Sequence, residues 1–184
     1  MRFLSSLLFT TVVSGACASP HPNPPTQAPA PVCGYGNGKC LTPDAVDKIT
    51  KKYAQAIGNY TEALADSFLT SDFTDTSDSI NVLAGIPLGS TTFPTKDAFK
   101  QGQSQLPKIP LVVKSVNAVT CDTVVLRWTQ TFGNPADPKP AQGISILVLV
   151  HKDGDWKLKT LFTEFNSLTY FTNTGGSCTP PPRV

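Results

Sequence analysis

The second half of the chain alternates apolar and polar residues with a period of two, and this pattern constrains the fold more than any other feature of the sequence. Four segments of strand length carry the alternation. The Asp153-Gly154 pair between the last two segments is typical of a two-residue β-hairpin turn. We therefore predict an antiparallel meander of four strands. Its segments are 111–120, 123–132, 143–151 and 156–167.

The hairpin turn also predicts which side chains share a face of the sheet. Pairs counted outward from Asp153-Gly154 put apolar side chains on both faces. A sheet with two apolar faces needs two covers. Helices can cover one face, and the other needs a partner subunit, a chain tail or a lipid-like ligand. The predicted pairs are His151 with Trp156, Leu149 with Leu158, Leu147 with Thr160, and Ser145 with Phe162.

Helix signals precede the sheet. Thr42-Pro43-Asp44 supplies an N-cap residue, a proline at the first helical position and an acid in the first turn. We predict a second helix over residues 61–69 and a third from Pro94 to about Gly102. The polar segment 71–94 between them has room for one or two short strands. The apolar stripe of the first helix consists of Val46, Ile49, Tyr53 and Ile57.

Residues 1–18 have the features of a secretory signal peptide. A basic start is followed by an apolar run and by Ala16-Cys17-Ala18, after which we expect cleavage. The mature chain would then be extracellular, and the sequon Asn59-Tyr60-Thr61 predicts an exposed, glycosylated Asn59. Four cysteines remain after cleavage, which suits two disulfides with three alternative connectivities. They are Cys33, Cys40, Cys121 and Cys178.

Proline and charge content set the domain limits and exclude some partners. Of the 184 residues, 17 are proline, and many lie in a leader over 19–39 and a tail over 174–184. We therefore expect one folded domain over 40–173. Only 15% of residues are charged, and the net charge of +2 provides no field that would hold nucleic acid or an anionic membrane. The cysteine spacing and the two histidines match no zinc pattern, so we expect no metal and no cofactor.

Several short motifs of the domain form a specific combination, although each is weak alone. They extend from the first predicted helix to the last predicted strand and cover about residues 40–171. The motifs are Cys40-Leu41-Thr42, DFTDTSDSIN at 72–81, GIPLGS at 85–90, FPTKDAF at 93–99, Cys121-Asp122, Arg127-Trp128 and Glu164-Phe165-Asn166-Ser167.

Helices followed by an antiparallel meander, together with these motifs, resemble secreted fungal proteins of the nuclear transport factor 2-like superfamily. The resemblance implies an α+β cone, in which N-terminal helices pack in a curved, mostly antiparallel sheet of four to six strands around a pocket. It also implies a Cys40–Cys121 disulfide, which leaves Cys33 with Cys178. The residues alone leave a local Cys33–Cys40 bridge open as the alternative.

Candidate catalytic residues follow from the same resemblance. The superfamily contains dehydratases, isomerases, epoxide hydrolases and polyketide cyclases, whose sites combine a carboxylate or histidine base with a tyrosine or second acid. The candidates here are Glu164, Asp75 and His151. For Glu164 we favour a structural role as partner of a backbone amide or of Arg127. Asp75 lies between two further aspartates spaced by three residues, which favours turn and helix-cap chemistry. The expected pocket side chains are Tyr53, Trp128, Leu149, Trp156, Leu158 and Phe162.

Three functions are compatible with this sequence. The favoured one is a small secreted domain that binds a small apolar ligand in its cone without catalysis. The second is a cofactor-free lyase or isomerase, of the dehydratase or cyclase type, acting on a small aromatic or polyketide-like molecule. The third is a cell-wall or host-interaction protein that uses its leader and outer sheet face. A homodimer through that outer face is a further expectation.

Overall fold

The computed structural model describes residues 39–133 and 138–177. In this part of the chain, one sheet with strand order β1-β5-β4-β3-β2 carries helices on one side. β1 pairs with β5 in parallel and the remaining pairs are antiparallel. The predicted α+β class and mostly antiparallel sheet are therefore confirmed. The elements are α1 Pro43–Gly58, α2 Glu62–Phe68, β1 Leu69–Thr76, α3 Asp78–Ala84, α4 Lys96–Ser104, β2 Leu111–Val119, β3 Thr123–Gln130, β4 Ala141–Lys152, β5 Asp155–Phe165 and α5 Ser167–Asn173.

The first helix begins where its capping residues predict. The Thr42 hydroxyl accepts a hydrogen bond from the amide of Ala45 at 3.2 Å, and Pro43 is the first helical residue. Two members of the predicted apolar stripe, Ile49 and Tyr53, are at most 2% exposed and pack with sheet side chains in the core. Burial of this stripe, rather than helix propensity, holds α1 against the sheet.

A bulge in β5 changes the predicted face of half that strand. The pairs Leu149–Leu158 and His151–Trp156 are as predicted, but the register shifts by one residue between Val148 and Leu149. Because side chains alternate with a period of two, one extra residue reverses every face beyond it. The prediction that Ser145 faces Phe162 was therefore wrong, since Ser145 faces Thr163. Thr163 is consequently buried, whereas Phe162 is 44% exposed.

The polar segment before the third predicted helix contains a helix that the sequence analysis missed. β1 occupies its first part, as one of the short strands expected there, and α3 follows. The Ser77 hydroxyl accepts from the amide of Ile80 at 3.1 Å and caps α3, while Gly85 ends it with a left-handed φ of 69°. Both signals are ordinary helix boundaries, but only seven residues separate them.

The structure contains a Cys40–Cys121 disulfide, as the resemblance implied. It connects the residues before α1 to the β2–β3 turn, and Leu41 also donates from its amide to the Cys121 carbonyl at 2.9 Å. The alternative Cys33–Cys40 pairing was therefore wrong. Cys33 and Cys178, the signal peptide, the leader up to residue 38 and the tail from residue 178 lie outside the described residues.

The face of the sheet opposite the core has several exposed apolar side chains. Ile144 is 50% exposed and Ile146 is 38% exposed. Val112 and Phe162 are also exposed on this face. A homodimer through this face stays a prediction. No helix within the described ranges is both long and apolar enough to cross a membrane.

Candidate functional site

A cavity of about 530 Å³ lies between the helices and the sheet. Its wall is mostly apolar, and the polar side chains on it include the buried Tyr53, Asp75, Gln103 and Thr163. A volume of this size is typical of small-molecule sites. Residues from α1, α3, α4, α5 and the sheet contribute, and Leu106, Pro107 and Ile109 add to the wall from the segment between α4 and β2. The principal apolar contributors are Ile57, Ile80, Leu83, Phe93, Leu161 and Phe165.

Asp75 is the acid on this wall. It lies on β1 and is 2% exposed, and its Oδ1 has no hydrogen-bond partner among the described residues. The pKa of Asp75 is raised to about 7, mainly by burial; a backbone hydrogen bond from Thr76 lowers it in part, and the negative charge of Glu164 contributes to raising it. Asp75 can therefore gain or lose a proton near neutral pH.

The backbone of Asp75 is held by a bridge to the segment before α4. Its amide donates to the Phe93 carbonyl at 2.9 Å, and its carbonyl accepts from Phe93 at 3.0 Å. Thr92 fixes this segment because its hydroxyl donates to Asn81 at 2.9 Å and accepts from the Ser77 amide at 2.8 Å. The DFTDTSDSIN motif thus positions Asp75 through hydrogen bonds that are themselves buried.

A cluster of hydroxyl groups lies on the sheet side of the cavity. Ser145 is at its centre, with its Oγ 2.7 Å from the Tyr53 hydroxyl and 2.9 Å from Thr163 Oγ1. The Trp128 indole donates to the same Ser145 oxygen at 2.9 Å. Burial is the main cause that raises the pKa of Tyr53 above its usual range, so this phenol stays protonated and neutral.

Trp128 reaches this cluster because its partner on β4 is a glycine. Trp128 pairs with Gly143, and a Cβ at position 143 would lie 2.3 Å from the indole ring. No larger residue fits there unless the indole moves. The glycine therefore allows the ring to lie flat against the sheet, where its edge reaches Ser145 and its surface lines the cavity.

The candidate catalytic residues do not meet in one place. Glu164 points away from the cavity, and its carboxylate accepts from the amides of Asp78 at 2.8 Å and Ser79 at 2.9 Å and from the Ser79 hydroxyl. This is the backbone-amide role that the sequence favoured. His151 stands beside the hairpin turn with its ring 5.3 Å from Trp156. Of the three candidates, Asp75 alone lies on the cavity wall.

Asp72 and Asp78, the two aspartates on either side of Asp75 in the sequence, have partners outside the cavity. Asp72 lies on the surface 3.5 Å from Lys159. Asp78 is in the first turn of α3 and accepts from the amide of Gly89 at 2.7 Å. Helix-cap and turn chemistry therefore describes Asp78, whereas the side chain of Asp75 is directed into the cavity.

The expected pocket side chains divide into two groups. Tyr53 and Trp128 line the cavity. Leu149 and Leu158 are buried in the core beyond it, and Trp156 packs against that core. Phe162 lies on the opposite face because of the bulge. The prediction that Phe162 lines the cavity was therefore wrong. The β5 residues on the cavity wall are Leu161, Thr163 and Phe165.

Gln103 is a polar wall residue that the sequence analysis missed. It is 7% exposed, and its Oε1 has no hydrogen-bond partner in the described part of the chain. The predicted third helix ended at Gly102, whereas α4 continues to Ser104 and buries Gln103. No group of three or more His, Cys, Asp or Glu residues that could hold a metal ion occurs within 39–133 and 138–177.

Fold and cavity together define a small α+β protein whose described residues enclose a ligand-sized, mostly apolar pocket. The model of the NTF2-like domain family matches residues 39–177, so the chain belongs to this family. No match is found among curated proteins.

Solved structures share the fold at low sequence identity. A hypothetical protein with a ketosteroid isomerase-like fold from Catenulispora acidiphila, in complex with trimethylamine, is 13% identical with a TM-score of 0.54, over 76% of this chain and 100% of that one. A candidate polyketide cyclase from Streptomyces antibioticus is 14% identical with a TM-score of 0.51, over 69% and 96%. Another from Bacillus cereus is 21% identical with a TM-score of 0.50, over 68% and 76%.

Proposed function

We propose that this protein binds a small, mostly apolar molecule in the cavity between its helices and its sheet. The observation that carries the proposal is an apolar cavity of about 530 Å³ with a few buried polar groups on its wall. Apolar surface provides affinity, and a small number of fixed polar groups provides orientation. The trimethylamine complex of the Catenulispora protein supports the same use of this fold.

A bulky residue at the cavity wall is expected to block binding. Ala84 is the exposed last residue of α3 and lines the cavity, so Ala84→Trp places an indole at the cavity wall. N-phenyl-1-naphthylamine, a neutral apolar dye, should bind the native protein with an increase in fluorescence and bind the variant at least about tenfold more weakly.

Val82→Trp is the matched control for this variant. Val82 lies on the same helix, is 56% exposed and is not part of the cavity wall. Its substitution should change the affinity for the dye less than about twofold, because a lone exposed apolar residue contributes little. Equal loss in both variants, or in neither, would contradict binding inside the cavity.

Proton transfer is a second candidate function. The pKa of Asp75 favours it because this carboxyl group can gain or lose a proton near neutral pH. A buried carboxylate with a pKa of about 7 suits general acid–base chemistry. The Tyr53 hydroxyl, kept neutral by burial, could donate a hydrogen bond to an oxygen of the substrate. The reaction class would be cofactor-free isomerisation or elimination next to a carbonyl group.

Hydrogen–deuterium exchange tests this second function directly. In D2O, the native protein should accelerate loss of the α-proton NMR signals of 2-tetralone by about a hundredfold or more over buffer. Asp75→Asn should abolish the acceleration because the base is gone. Exchange at the buffer rate with native protein, while the dye still binds in the cavity, would favour binding without catalysis.

We also propose that the protein is secreted. The signal-peptide features of residues 1–18 support this, as do the Cys40–Cys121 disulfide and the exposed position of Asn59 in its sequon. N-terminal sequencing of protein from the medium should begin at Ser19. Fungal origin, glycosylation of Asn59 and a cell-wall or host-interaction role stay predictions.

A further inference from the structure

The cavity wall carries an acid and, among the described residues that line it, no basic side chain. Asp75 is on the wall, and Lys, Arg and His are absent from these residues. Burial raises the pKa of Tyr53 and of Tyr170, so both phenols stay neutral. The carboxylate of Glu164 is close enough to act on Asp75 and is also negative. The interior of the cavity is therefore favourable for a cation.

Two residues of this wall each have a buried oxygen atom that lacks a donor. Asp75 Oδ1 and Gln103 Oε1 have no hydrogen-bond partner in the described ranges. Both residues are more than nine-tenths buried. An unpaired buried polar atom lowers stability, and a buried ionised carboxylate without a counter-charge lowers it further. A ligand that presents N–H groups would satisfy both atoms, whereas a ligand carbonyl or carboxylate would add a third acceptor.

A connected series of aromatic rings forms another part of the wall. The ring of Phe165 lies 6.0 Å from Trp128 and 5.6 Å from Tyr170, and Tyr170 lies 4.4 Å from Phe132. All four line the cavity. Aromatic faces attract organic cations and also accept apolar substituents. This combination suits a positively charged group attached to an apolar body.

We infer that the ligand of this cavity is a protonated amine with an apolar or aromatic substituent, held by an ammonium–carboxylate pair with Asp75. The inference rests on the proposed binding function and names the class of ligand. The ammonium supplies the donors that Asp75 and Gln103 lack, and the substituent occupies the aromatic part of the wall. It uses the same carboxylate as the proton-transfer alternative but does not require that a proton be transferred.

Three probes of similar size separate charge from apolar contact. 2-Phenylethylamine is a cation at pH 8, 2-phenylethanol is neutral, and 3-phenylpropanoate is an anion. Titration calorimetry of the full chain with its disulfide intact should show the amine binding at least about tenfold more tightly than the alcohol. The anion should show no measurable binding, because it would face Asp75 without a counter-charge.

Two variants assign the preference to Asp75. Asp75→Asn should reduce the preference for the amine over the alcohol to less than about threefold, while the alcohol binds as before. Asp72→Asn removes an exposed aspartate from the same strand and should leave the preference unchanged. An amine preference that persists in Asp75→Asn, or an alcohol that binds native protein as tightly as the amine, overturns the inference.

Failure of this inference can be told apart from failure of the binding function. If the alcohol binds without any amine preference and Ala84→Trp weakens it, the cavity binds ligands but the ligand is not an amine. If none of the three probes binds, the inference is overturned. The proposed binding function is then overturned as well if N-phenyl-1-naphthylamine also fails to bind.

Discussion

Asp75→Asn should stabilise the protein at neutral and alkaline pH, with a gain over the native chain that grows by about 3 kcal/mol between pH 4.5 and pH 8. The pKa of Asp75 is about 7 in the folded protein, against 3.8 for an exposed aspartate. The folded protein therefore holds a proton that the unfolded chain has released. The stability that this proton contributes is complete below pH 3.8 and is lost as the pH rises through 7.

An asparagine keeps the shape of Asp75 but does not ionise. The variant therefore does not lose this stability as the pH rises. Urea unfolding of both proteins at several pH values measures the difference directly. Asp72→Asn is the control, because Asp72 is exposed and the hydrogen bond from Thr70 and the nearby Lys159 lower its pKa. That variant should show no alkaline gain. Parallel pH profiles for native protein and Asp75→Asn would contradict a raised pKa of the buried Asp75.

The same expected gain explains why Asp75 is the strongest sign of function in this chain. The ionisation of Asp75 lowers the free energy of unfolding as the pH rises to about 7. If folding were the only role of this residue, asparagine would serve better. The bridge to Phe93 uses only the backbone of Asp75, so the carboxyl group is not needed for the strand pairing. The carboxyl group of Asp75 is therefore free to interact with a ligand. It lowers the stability of the fold, as residues of binding sites often do.

Much of this fold was predictable from the sequence because its signals are local. The N-cap at Thr42 and the hairpin at Asp153-Gly154 fixed two boundaries, since each depends on a few adjacent residues. Alternation with a period of two identified β2 to β5 for the same reason. The Cys40–Cys121 pairing followed from resemblance, because sequence spacing does not determine connectivity.

The site was less predictable because it depends on contacts between distant segments. The bulge in β5 has no strong local signal, yet it decides that Thr163 faces the cavity and that Glu164 faces α3. The three-residue spacing of Asp72, Asp75 and Asp78 favoured turn and helix-cap chemistry and gave no sign that Asp75 lines the cavity. Its burial depends on Phe93, 18 positions later in the sequence, and on the helices around the cavity.

Glu164→Ala should destabilise the protein by about 2 kcal/mol and loosen α3 in particular. The Glu164 carboxylate accepts from the amides of Asp78 and Ser79 in the first turn of this seven-residue helix. Amides in the first turn of a helix have no acceptor within the helix itself. Alanine leaves both amides without this acceptor. Because Ile80 and Leu83 of α3 line the cavity, affinity for N-phenyl-1-naphthylamine should fall as well.

Hydrogen exchange and a matched substitution assign this effect to the helix. Amides of α3 should exchange faster in Glu164→Ala, while those of β3 and β4 change with global stability only. Glu62→Ala removes an exposed carboxylate that pairs with Lys100 at 2.8 Å, and should change stability by less than about 0.5 kcal/mol.

Glu164→Gln keeps one acceptor oxygen but no charge, so its stability should lie between those of the native protein and Glu164→Ala. It should also lower the pKa of Asp75, since the negative charge of Glu164 contributes to raising it. Equal losses in Glu164→Ala and Glu62→Ala would show that Glu164 does not anchor α3.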